Sequence, residues 1–241
     1  MKAQELPGVA WRARLVLGAG LALVPLLVQV PFNVLVATFD YPDILRQPAG
    51  EILVRFSAGG HGLLWTWYAY ALCLVPFLLI VIALPDVLEM PVGRRALVRA
   101  LGTISAVTQL VGLLRWTLVV PALAAAYTEP LASEATRNAV AVAFDLQHRL
   151  FGNLLGEHLG QMTLALWTFL VAGHETNRAL RTLGRLGAGL FLLGLADGLL
   201  TVVPLPASAL IAEVPLVAFL IWTVWLVATG VRVMRAAWRA R

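Results

Sequence analysis

Six stretches of this chain are apolar for long enough to cross a lipid bilayer, and no other feature limits its fold so tightly. A hydrocarbon core about 30 Å thick takes roughly 20 residues of helix. Runs of that length lie at about 15–38, 61–84, 98–126, 150–172, 184–204 and 209–231. They are continuous and lack the alternation of barrel strands, so helices must satisfy their backbone polar groups. The expected fold is therefore all-α: a polytopic membrane protein, one integral domain over residues 1–241, forming a six-transmembrane-helix bundle. The first run is too long for a signal peptide and no small-x-small cleavage site follows it cleanly, so an uncleaved anchor is expected. Composition agrees, with 60% of residues hydrophobic and 13% charged, against about half and a quarter in soluble domains. Disordered, disulfide-stapled and nucleic-acid-binding classes are disfavoured, since none combines such runs with so few charges.

The formal charge of +5 is concentrated between the apolar runs. Lys2, Arg12, Arg14, Arg94, Arg95, Arg99, Arg178, Arg181, Arg185, Arg232, Arg235, Arg239 and Arg241 fall to one side of an alternating topology. Arg46, Arg55, Arg137 and Arg149 fall to the other, and Arg115 lies within a run. Basic residues mark cytoplasmic connections, so both termini are expected in the cytoplasm (N-in, C-in), with the bilayer and not nucleic acid as the partner. The long connections 39–60 and 127–149 are then external, where loops often carry function. The apolar residues of 138–150 recur at helical spacing, so this stretch either lies along the interface or extends the fourth helix outward.

Ionisable groups within spans are costly and need a partner or a purpose. Arg115, Glu157, His158, Asp197 and Glu213, with His61 at the start of the second run, all fall in the expected outer half. Gly152, Gly156 and Gly160 repeat every four residues, as do Gly194 and Gly198, and such faces allow close helix approach. Asn153, Glu157 and Gln161 form a parallel polar stripe, and Thr108 and Gln109 are expected near mid-membrane as a floor. One arginine against three acids leaves an excess of negative charge, which calls for a raised carboxylate pKa, a protonated histidine or a bound cation. The sequence thus predicts an outward-facing ligand-binding pocket at Arg115, Glu157, His158, Gln161 and Asp197, with His61 and Glu213 at its margin. The bland alternative is that Arg115 pairs with Glu157 or Asp197 only to lock helices together.

No catalytic residue is assigned and no cofactor signature is present. A metal site would have to draw on His61, Glu157, His158 and Asp197, but neighbouring helical residues diverge by about 100°, which separates Glu157 from His158. A haem would need His61 with His158. An intramembrane enzyme using Glu157 and His158 needs no linear motif, whereas nucleotide-binding loops, nucleophile elbows and zinc-protease pairs are missing from the sequence. Cys73, the single cysteine, permits no intramolecular disulfide and reads as a small core residue. His148 reads as a loop residue and His174 as a helix C-terminal cation. Pro25, Pro31, Pro76, Pro121 and Pro215 interrupt runs, where they kink helices or free carbonyls to line a cavity. The Trp-Thr pairs at Trp65, Trp116, Trp167 and Trp222 fall at different depths and read as packing and interfacial anchors.

Three segments carry a resemblance. Phe39-Asp40-Tyr41-Pro42-Asp43-Ile44-Leu45, Gly156-Glu157-His158-Leu159-Gly160 followed by Leu166-Trp167-Thr168, and Leu220-Ile221-Trp222-Thr223-Val224-Trp225 resemble a bacterial multi-pass family catalogued as a domain of unknown function. The resemblance implies a bacterial inner (plasma) membrane protein of this length, standing alone as one domain, and brings no reaction with it. The expected function is that of a non-enzymatic membrane protein whose pocket binds or transports a small polar ligand, proton or cation. Two alternatives stay open: an embedded enzyme or metal or haem protein using Glu157 and His158, and a structural or regulatory subunit. Oligomeric state is not legible.

Overall fold

The computed structural model describes residues 7–200 and 209–239, with side chains described over 11–195 and 214–239. Among these residues every regular element is helical: α1 (Pro7–Phe39), a 3-10 turn (Asp43–Arg46), α2 (Ala49–Leu72), α3 (Leu74–Val87), α4 (Val92–Leu118), α5 (Val120–Thr128), α6 (Glu134–Gln147), a π-helix (His148–Leu159), α7 (Gly160–His174), α8 (Arg178–Leu200) and α9 (Ala209–Arg239). Four stretches, Trp11–Phe39, Ala49–Val87, Val92–Thr128 and Val214–Arg239, are long and apolar enough to cross a membrane. The expected end of the fifth span falls on 201–204, outside the described residues.

Two expected connections are corrected. The segment 39–60 is not a long loop, because α2 begins at Ala49 and only residues 40–48 connect it to α1. The expected boundary coincides with Gly60, which has φ 55 and ψ −150 inside α2. A residue without Cβ takes that left-handed conformation cheaply, so the Gly59-Gly60-His61-Gly62 cluster marks a kink within a helix and not its start. The segment 127–149 resolves largely into a short turn and α6, and residues 138–150 run on into the helix that follows them. Ser133 caps α6, its hydroxyl accepting the Thr136 N–H at 3.1 Å, which is why the helix starts there.

The placement of two of the prolines is accounted for by the missing N–H. Pro76 lies in the first turn of α3 beyond the break at Cys73, and Pro121 opens α5 beyond the break at Val119. Both positions leave the absent donor without consequence. Cys73 is free and half-buried at the first of these breaks.

The chain divides into two compact units. The first comprises Met1–Leu26, Pro76–Ala106 and Gln161–Arg241. Its core sets Phe77 edge-on against Trp167 and Trp222 at 5.8 and 5.6 Å, and Trp222 Nε1 donates to Thr168 Oγ1 at 3.0 Å. Buried indoles usually require such a partner. The turn between α3 and α4 is tied by Asp86 to Arg95 and Arg99 at 3.0 and 2.6 Å and by Glu89 to Arg14. His174 Nε2 meets Leu88 O at 2.9 Å, so its contact is with a carbonyl in the turn between α3 and α4. Glu175, unmarked in the sequence, is buried and held by Arg232 at both oxygens, 2.8 and 2.9 Å, while Arg181 donates to its carbonyl at 2.7 Å.

The second unit comprises Leu27–Val75 and Val107–Gly160. Its centre is aromatic. Trp67 and Trp116 stack at 4.6 Å with planes 9° apart, Phe39 stands edge-on to both at 6.2 and 5.6 Å, and Tyr41 meets Trp67 edge-on at 5.2 Å. Offset stacks and edge contacts are the favoured geometries of ring quadrupoles. On α1, by contrast, Val16, Leu23, Leu27, Val30 and Val34 are exposed along one face, an arrangement suited to lipid as solvent.

Candidate functional site

The site is built on α4 and the helix that faces it in the second unit. Gly112 and Arg115 lie on one side of α4, and the glycines expected to form a packing face do so against it. A Cβ added at Gly156 would sit 3.7 Å from Gly112 Cα, one at Gly160 2.7 Å from Gln109 Cγ, and one at Gly152 2.6 Å from Arg115 Nη2. The helices run antiparallel here, and their backbones come closest at Gly112, where a Cβ would sit 2.9 Å from Phe151 O and 3.2 Å from Gly156 Cα. Residues 148–159 are wound as a π-helix whose cap carries the Gly160 N–H to Leu155 O, five residues back. Such segments concentrate at functional positions.

Arg115 is buried against this glycine face. Its Nη1 donates to Gly112 O at 2.6 Å, its Nη2 meets His148 Nδ1 at 3.3 Å, and its guanidinium lies 5.3 Å from the Trp116 ring centre. The Nε has no hydrogen-bond partner, and neither do Nε2 and Oε1 of the buried Gln147. His148 stacks on Phe144 at 5.6 Å. It lies in the continuous helical stretch 134–174, at the level of Arg115.

Tyr41, in the turn after α1, completes the group. Its phenol is pushed up to about 12, first by burial and then by the negative charge of Glu157, with Arg115 acting the other way. Tyr41, Arg115 and Glu157 thus share one electrostatic neighbourhood.

The other expected residues fall differently. His158 and Gln161 are half-buried, on the π-helix and on α7, and His61 is exposed on α2 beside the Gly60 kink. The side chains of Asp197 and Glu213 lie outside the described residues, although their backbones belong to α8 and α9. Among the described residues no three His, Cys, Asp or Glu side chains group as a metal would require. Sequence reasoning passed over Tyr41, Gln147, His148 and Trp67. His148 stands four residues before Gly152, and extending the fourth helix to it would have put the two on one side.

The family described as a domain of unknown function (DUF4386) matches residues 16–230, in line with the resemblance carried by the three segments above. No curated protein and no solved structure matches the chain.

Proposed function

Given that the chain belongs to the DUF4386 family, we propose that this multi-pass membrane protein binds a small polar ligand at Arg115, Glu157 and Tyr41, for transport or sensing. The observation that carries the reading is the buried Arg115 guanidinium, whose Nε is one of the unpartnered buried polar atoms among the described residues; Gln147, one residue before His148, carries two others. Leaving such groups dry costs about 1–3 kcal/mol each, so a fold that retains them is supported by something that bonds to them. Arg115 offers donors to an acceptor or anionic end. Glu157 offers acceptors to a donor or cationic end, and alone would take a proton or a cation. The protonated Tyr41 phenol adds no charge, which favours a ligand of small net charge.

The topology belongs to the same proposal. Read as six spans, the helical stretches 7–39, 49–87, 92–128, 134–174, 178–200 and 209–239 are each long enough to cross about 30 Å of hydrocarbon. Thirteen of the eighteen basic residues belong to the first unit and five to the second. That partition supports six spans with both termini cytoplasmic in a plasma membrane and a site in the outer half. Asn153, Glu157, His158 and Gln161 make the fourth rod the more polar one, as a ligand-lining helix would be.

The test is thermal unfolding of the purified full chain in detergent with a panel of amino acids, betaine and alkali cations. A member of the panel should raise the melting temperature of the wild type, and Gln147→Leu and Glu157→Gln should abolish that rise. No rise with any member would favour a second reading, supported by the bonds of Arg115 to Gly112 and His148: a polar lock that holds α4 to the helix facing it.

A further inference from the structure

The first unit carries a cleft of about 370 Å³ between the start of α8 and the last turns of α9, lined by Asn177, Leu180, Val231, Arg232, Arg235 and Arg239 among others. Positions 232, 235 and 239 follow helical spacing, so the three guanidinium groups share one face of α9. Arg232 is turned inward and neutralised by Glu175. Arg235 and Arg239 are exposed, and among the described residues neither has an acidic partner, because Asp86 and Glu89 are taken up by Arg95, Arg99 and Arg14. Among the described residues, the cleft therefore holds two guanidinium groups without an acidic partner beside an apolar wall of Leu180 and Val231.

Depth decides what meets them. The 31 residues of α9 span about 46 Å, some 16 Å more than a hydrocarbon core, so its last turns reach the headgroup layer. Trp238, one residue before Arg239, is 57% exposed and packs on Trp11 at 6.2 Å. Exposed tryptophans settle at that interface. Positive-inside topology accounts for arginines near a helix end, but requires neither a cleft nor their alignment along it.

We propose that this cleft is a binding site for the phosphate of an anionic phospholipid headgroup. Arg235 and Arg239 donate to the phosphate oxygens, and the first acyl carbons lie on Leu180 and Val231. Guanidinium forks suit phosphate, and basic pockets between membrane helices are used in this way.

The experiment titrates the detergent-purified full chain with phosphatidylglycerol, phosphatidylcholine or inorganic phosphate and reads the melting temperature. Phosphatidylglycerol should stabilise the wild type and phosphatidylcholine should not. The double variant Arg235→Gln, Arg239→Gln should weaken phosphatidylglycerol binding roughly thirtyfold. A control of equal charge, Arg12→Gln with Arg94→Gln, should bind as the wild type does. Equal loss in the control would reduce the effect to general surface charge, and unchanged binding in the double variant would remove the site. Equal stabilisation by inorganic phosphate would replace the lipid by a soluble phosphate and overturn the assignment. Both arginines are exposed, so the variant should fold, which its melting temperature without lipid verifies.

Discussion

The guanidinium of Arg115 is seated on the backbone of Gly152, where a Cβ would lie 2.6 Å from Nη2. The guanidinium is the end of a flexible side chain, but its bonds to Gly112 and His148 fix it in place. Gly152→Ala should therefore displace Arg115 and cost about 1–3 kcal/mol, the range for broken buried hydrogen bonds. A double-mutant cycle with Arg115→Met checks this: the alanine should cost much less once the guanidinium is gone. Equal cost in both backgrounds would mean that Gly152 serves only helix–helix approach.

Glu175 should be the most sensitive acid of the first unit. It is 1% exposed and both its oxygens face Arg232. Arg232 is itself about one third exposed, so breaking the pair should cost less than a fully buried one, about 2 kcal/mol for Glu175→Gln. Replacing both partners with Glu175→Gln and Arg232→Met should recover part of that loss, as read from melting temperatures.

Tyr41, in the connection 40–48, gives pH dependence at the alkaline end. Its phenol is raised from 10.0 to about 12, so its contribution to stability is present below pH 10 and is lost as pH rises through that interval. Melting curves from pH 8 to pH 11 should show a shallower alkaline slope in Tyr41→Phe than in the wild type. Absorbance titration of Tyr41→Phe should remove a phenol that ionises late.

Single cysteines introduced in a Cys73→Ala background test the topology. Impermeant maleimide applied to intact cells should label Ser133→Cys and spare Arg94→Cys until the membrane is opened. The reverse pattern would invert the orientation, and labelling of both would remove the alternating six-span arrangement.

The helical, membrane-spanning character was legible because long apolar runs admit no other solution, and the glycine spacing on the fourth run foretold the face that meets α4. The start of α2 was not legible. Glu51, Arg55 and Ser57 lower the hydropathy of its first turns, and the glycine cluster around Gly60 imitates a helix end although it makes only a kink. Within the site, Arg115 and Glu157 were legible as charges that a bilayer makes expensive. Tyr41 and His148 were not, because a turn residue and a residue assigned to a loop acquire their roles only through tertiary packing. Trp116 was read as a packing or anchoring residue without choosing between the two; it packs, buried in a stack with Trp67, since hydropathy cannot distinguish a ring facing lipid from one facing protein. Glu175 was missed because a lone acid at a helix end carries no signal until its partner, 57 residues later, is brought to it.

The most direct test of the binding site is a cryo-electron microscopy map of the full chain in lipid nanodiscs, at a resolution that shows ordered small molecules beside Arg115. The account predicts non-protein density within hydrogen-bonding distance of Arg115 Nε or the Gln147 amide, reduced in Glu157→Gln. If those atoms are instead closed off by protein groups, with no density between them in either map, Arg115 is a lock between helices and the ligand-binding reading is wrong.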